Sequence, residues 1–415
     1  MLKSRSTGYD WNSPTPVVAP VAGAGEFRRK RPAFLALFVA LEPRRKYFRF
    51  RCIHSPDRLP LGPKSAPVAA DDQEPLMFRL WFCAFLFLLP APLASPQVPT
   101  ADTSANFRDV SEAVGVATRR YHFDPDVLKA PAFVALEKQV AEIAEKATSR
   151  EEFVKEFNSA WRNGPFSHVS LQVAQSNAAD TAAYLDTLRV GGKGALLTWT
   201  GNIAILTVTT MMGADTIEQI DAAYDEIAKK GAHALIIDLR ENDGGAFAGR
   251  PLVEHILRTP LDAGAFVSQP WARTTDRTPT LKDAADVEPW GGWSLVDFWR
   301  DVQESRIMRI QFRPAAPIFD VPVYVLVGRK TASAAEMAAD ALLASGRATL
   351  MGETTAGRMF SQKMYDMPRG LLLSLPVADY YSFRSGRIEG AGVKPQIEVE
   401  PSKALDVALQ RAGRP

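Results

Sequence analysis

The chain has 415 residues, 46% of them hydrophobic and 23% charged, which is enough to bury a sizeable core in one large domain or in two or three smaller ones. Its 49 Lys and Arg against 47 Asp and Glu leave a formal net charge of +2, which argues for neither nucleic acid nor an anionic surface as partner, and no nucleic acid partner is expected. The charge is uneven: residues 1–76 carry basic runs such as "RRKR" (Arg28 to Arg31) and "RRK" (Arg44 to Lys46), so the remainder is mildly acidic.

"MFRLWFCAFLFLLPAPLASPQ", starting at Met77, has Arg79 as a minimal positive region, an apolar run from Leu80 to Leu89, then Pro90 and small residues. That pattern predicts a secretory signal peptide over 77–95, too short to span a membrane permanently, with a cut near Ala94 or Ser95. Residues 1–76 are expected either to come from a start codon placed too early, with Met77 the initiator, or to form a disordered basic extension with a weak membrane anchor in "AFLALFVAL" (Ala33 to Leu41). Cys52 and Cys83 both precede the cut. A mature chain would then lack thiols, which excludes disulfides, thiolate zinc sites and a cysteine nucleophile, and fits a periplasmic or secreted location.

Residues 103–165 are predicted to be a small helical domain. Leu136, Val140 and Ile143 recur at helical spacing, and Ser149 followed by Glu152 marks a capped helix start. The pattern then switches to alternating strands and helices over 166–405: a strand at Asn202 to Val208, a helix at Asp215 to Gly231, and strands at His233 to Arg240, Val321 to Gly328 and Ala348 to Gly352. Continuous apolar strands alternating with helices predict an α/β fold whose mainly parallel sheet is covered on both faces. Gly370 to Phe383 reads as further strands or a hairpin. Residues 267–315 form a weakly periodic insertion with Trp271, Trp290, Trp293 and Trp299, expected either to pack a small subdomain or to touch substrate.

Two loops carry candidate chemistry. In "GRKTASAAEMAADALL" Ser333 sits between an apolar strand and a helix; with Glu336 it forms Ser-x-x-Glu, the pattern of a capping box. The same position exposes a hydroxyl beside N–H groups at the positive end of a helix dipole, where an oxyanion is stabilised. In "LIIDLRENDGG" a buried strand ends in Gly244 and Gly245, whose freedom allows a turn and a close backbone approach. Parallel topology would bring both loops to one sheet edge. No cluster with metal-ligand spacing and no nucleotide-binding fingerprint occurs, so no cofactor is expected.

Taken with "IEGAGVKPQIEVEPS", these two stretches, in this order, closely resemble the serine peptidases of the C-terminal-processing (tail-specific) protease and tricorn-core family, over roughly Asn106 to Glu400. The resemblance implies a spiral αβ core of the ClpP and crotonase kind preceded by a helical domain, with peptide or protein substrates. Where Ser-Lys members have lysine, this chain has Arg358, which stays protonated and cannot act as base. Arg358 is expected either to meet a substrate carboxylate or to form a structural ion pair. The tricorn-like branch implies His168 as base instead, although Phe166 and Ser167 replace the usual acidic lead and Val169 the usual threonine. Glu389 matches the third position, where it would accept the imidazole's other N–H. Ala334 and Gly244 or Gly245 would supply the oxyanion-hole N–H groups. The interval from His168 to Asn202 is too short for a PDZ module. The rival expectations are a non-catalytic protein binding a hydrophobic ligand on the same core, and, by fold analogy alone, an acyl-CoA enzyme.

Overall fold

The computed structural model describes residues 106–413; the upstream extension and the signal-like stretch lie outside them. Three helices come first: α1 (Arg108–Tyr121), α2 (Pro131–Lys146) and α3 (Arg150–Trp161). The Ser149 hydroxyl accepts the Glu152 N–H at 3.1 Å, as the cap pattern predicts. Then follow β1 (Ser170–Val173), α4 (Ala178–Thr187), β2 (Ala195–Thr200), β3 (Ile203–Val208), α5 (Ala214–Lys230), β4 (Ala234–Asp238) and α6 (Gly249–Glu254). The insertion spans the end of β5 (Leu261–Ser268), α7 (Gln269–Ala272), α8 (Leu281–Ala284), α9 (Leu295–Glu304) and β6 (Ile307–Phe312). The rest is β7 (Val323–Val327), α10 (Ala334–Ala344), β8 (Ala348–Gly352), β9 (Ser361–Met367), β10 (Leu371–Ser382), β11 (Gly386–Arg387), β12 (Ile397–Glu398) and α11 (Pro401–Ala412). Among the described residues no helix is long and apolar enough to cross a membrane.

One sheet runs β12-β8-β7-β4-β3-β2, parallel except for the β2–β3 hairpin. Its strands are apolar on both sides because both faces are covered. Leu206, Leu235, Ile237, Val325 and Val327 pack with Ile220, Tyr224 and Ile227 of α5 and the alanines of α10. Ile203, Ile205, Ile236, Leu326 and Met351 face Ala404, Ala408 and Ala412 of α11. Alternation within each strand thus feeds two cores. The second sheet, β1-β10-β5-β6 with β9 and β11 on β10, is antiparallel; the stretch Gly370 to Phe383, expected as further strands or a hairpin, is the single long strand β10, which pairs with β9 before it.

Helices α1 to α3 share a core with this second sheet: Phe133, Phe153, Phe157 and Trp161 pack with Leu171 of β1 and Leu371, Leu373 and Leu375 of β10. In the insertion, Trp271 and Trp299 are buried in packing, Trp290 is half-buried against Phe247, and Trp293 is 49% exposed.

Candidate active site

Four neighbouring parallel strands, β3, β4, β7 and β8, end on the same edge, and hydrogen bonds stitch the loops that follow them. Thr331 is the central stitch. Its hydroxyl donates to the Leu239 carbonyl at 2.7 Å and accepts the Gly328 N–H at 3.0 Å, while its carbonyl takes the Ala356 N–H at 2.9 Å. The Ala332 N–H donates to the Asn242 carbonyl at 3.0 Å, and the Met211 N–H to that of Gly244 at 2.7 Å.

Ser333 caps this edge at the start of α10, with φ 55° and ψ −124°. An ordinary N-cap has extended backbone, and non-glycine residues seldom take positive φ. Such strain costs about 1–3 kcal/mol and persists only where the surroundings enforce it. Here Glu336, 0% exposed, enforces it: its Oε2 accepts the Ser333 N–H at 3.0 Å. The same oxygen takes the Arg358 N–H at 2.9 Å, and Oε1 takes the Gly357 N–H at 2.7 Å and the Thr355 hydroxyl. Burial pushes the pKa of Glu336 above its ordinary value, against the pull of these bonds.

Beside the serine, Gly244 has φ 100°, and a Cβ there would stand 2.7 Å from both Ser333 Cβ and the Ala332 carbonyl oxygen. Only glycine fits. Its N–H, however, donates to Asn242 Oδ1 at 2.9 Å, so of the two glycines expected as alternative oxyanion donors, Gly244 has its N–H engaged internally. The N–H groups of Gly245 and Ala334 make no hydrogen bond among the described residues, which leaves this pair as the two donors available there.

His168 reaches the site from the other sheet. Asn158 of α3 brackets Leu171, donating to its carbonyl and accepting its N–H, both at 2.8 Å, and so fixes the start of β1. The Phe166 ring is wedged 4.2 Å from His122 and 5.1 Å from Trp161. Between these anchors His168 is half-buried with φ 62°. Its Nδ1 lies 2.6 Å from Ser167 Oγ, and that hydroxyl donates to Glu389 Oε1 at 2.7 Å. With its proton committed to the carboxylate, the hydroxyl can only accept from Nδ1–H, which leaves the lone pair of the neutral ring on Nε2. The direct Glu389–imidazole bond expected from sequence is therefore replaced by a relay through Ser167. Sequence reasoning passed over that residue as a mere departure from an acidic lead, although a serine adjoining the histidine was the available signal.

Glu389 Oε2 accepts the N–H groups of Met359 at 2.5 Å and Phe360 at 3.2 Å. Four consecutive N–H groups, Gly357 to Phe360, are thus divided between Glu336, which holds Ser333, and Glu389, which holds Ser167. Burial lowers the pKa of His168 below 6.5; the nearby Glu389 opposes this and Arg358 adds to it. The Arg358 side chain is exposed. No hydrogen bond joins His168 to Ser333. Lys363 on β9 donates to Gln303 Oε1 of α9 at 2.9 Å. Two other histidines are structural: burial pushes His122 down to about 4, and His255 bridges the Pro317 carbonyl at 2.9 Å and Asp221 at 3.2 Å.

Comparison with known proteins shows what this edge is similar to. Residues 202–399 match the model of peptidase family S41. A carboxyl-terminal-processing protease of Picosynechococcus sp. is 26% identical over 203 residues, covering 47% of this chain and 39% of the relative. A chloroplastic C-terminal processing peptidase of Tetradesmus obliquus is 27% identical over 190 residues, covering 45% and 33%. The matches thus span well under half the length of these relatives. A solved Parabacteroides merdae structure shares the fold, with a TM-score of 0.52 at 13% identity, covering 75% of this chain and 98% of that one. Ser167 and His168 precede the matched stretch, while Gly244, Gly245, Ser333, Glu336, Arg358 and Glu389 lie inside the segment that matches peptidase family S41.

Proposed function

We propose that the protein is an exported serine peptidase that hydrolyses peptide bonds through an acyl-enzyme on Ser333. His168 Nε2 takes the Ser333 proton as Oγ attacks the scissile carbonyl carbon. The N–H groups of Ala334 and Gly245 hold the oxyanion; losing one such donor typically costs about a hundred- to a thousandfold in rate. The imidazolium then protonates the leaving amine, and water releases the acyl group by the same base. Glu389, through the Ser167 hydroxyl, stabilises the imidazolium and fixes its tautomer. Arg358 depresses the imidazole pKa and lies where a substrate carboxylate could meet it.

The observation that carries this reading is the Gly357–Phe360 backbone, whose donors tie the strained serine and the histidine relay to one short loop. The absence of a Ser333–His168 bond does not oppose it, because such bonds often close only in the substrate complex. Export rests on the signal-like stretch from Met77, and recognition without a PDZ module on the short interval occupied by β1 and α4. A fluorophosphonate probe tests the chemistry. Labelling that maps to Ser333, vanishes in Ser333→Ala and falls sharply in His168→Ala is expected. An unlabelled wild-type protein would instead favour a binding protein on the same fold.

A further inference from the structure

We propose that Glu336 is the positioning residue that sets the nucleophile against its base, by holding the Ser333 turn and the 355–358 loop on one buried carboxylate. This rests on the peptidase reading above and assigns a role to a residue that otherwise looks like half of a helix cap. A capping glutamate needs only to reach back to the N-cap N–H. Glu336 does that and more: both oxygens are filled, one by Ser333 and Arg358, the other by Gly357 and the Thr355 hydroxyl.

Three features make the contact positional. The carboxylate has no solvent exposure, so its four donors cannot be replaced by water without rearrangement. It binds the N–H of the very residue whose φ is positive, so the turn and the carboxylate hold each other in place. The loop it grips continues directly into Met359 and Phe360, whose N–H groups seat Glu389 beneath Ser167 and His168. A shift of Glu336 therefore moves serine and histidine relative to one another, and misplacement by about 1 Å can cost about a hundredfold in rate.

The test compares Glu336→Asp and Glu336→Gln with the wild-type full chain. Aspartate keeps the charge but withdraws both oxygens by one C–C bond, about 1.5 Å. Glutamine keeps the length and one acceptor oxygen. Measured are the second-order rate of fluorophosphonate labelling at Ser333, kcat and KM for fluorescein-labelled casein, and circular dichroism with thermal melting. The expected result is a fall in labelling rate and kcat of about a hundredfold for Asp and less for Gln, with KM unchanged and native dichroism retained. Labelling of both variants at the wild-type rate, activity lost only in proportion to unfolded protein, or failure of both to fold would overturn the proposal. A wild-type protein that does not label would sink the peptidase reading itself, a separate outcome.

Discussion

The relay between Glu389 and His168 makes the sharpest prediction, because it hangs on one hydroxyl. Ser167→Ala deletes an oxygen that lies 2.6 Å from the imidazole and 2.7 Å from the carboxylate. As the serine proton is taken, the ring becomes cationic, and the lost hydroxyl would have bridged that charge to Glu389. Hydrogen bonds to charged groups contribute about 1.5–3 kcal/mol, and each 1.36 kcal/mol of barrier is tenfold in rate, so acylation should slow by about 10- to 150-fold. The assay is the second-order labelling rate with a fluorophosphonate, with casein turnover in parallel. Glu389→Gln should lose a comparable amount, and the double variant little more than the worse single one, since both act through one chain of bonds. Ser167→Ala within twofold of wild type, or fully additive losses in the double variant, would refute the relay.

Neutral His168 is the base, so labelling should fall as pH drops through its pKa; because burial and Arg358 lower that pKa, the acid limb should lie below 6.5, and Arg358→Gln should move it upward. Gly244→Ala places a Cβ 2.7 Å from Ser333 Cβ at a φ of 100°, and should both destabilise the fold by about 1–3 kcal/mol in urea titrations and slow labelling. Ile236→Ala, at a fully buried site between β4 and α11, should lower stability by about 2–5 kcal/mol while the remaining native protein labels normally.

Hydrophobic period and local turn chemistry carried much of the architecture into the sequence. The apolar runs within His233 to Arg240 and Val321 to Gly328 read as strands covered on both faces, and the parallel arrangement that follows brings Gly244 beside Ser333. The Ser149 cap, strand structure after Gly370 and the position of Ser333 at a strand-to-helix junction were equally local, and therefore legible. What the sequence could not specify was which donors each group would spend internally. That Gly244 uses its N–H on Asn242, while the Gly245 N–H has no partner among the described residues, depends on where a neighbouring side chain turns in the folded loop. That Ser167 stands between His168 and Glu389 depends on two segments 222 residues apart meeting across the antiparallel sheet. Spacing along a chain determines strand, helix and turn; the division of hydrogen bonds among groups brought together by long-range packing is decided only once the sheets have closed.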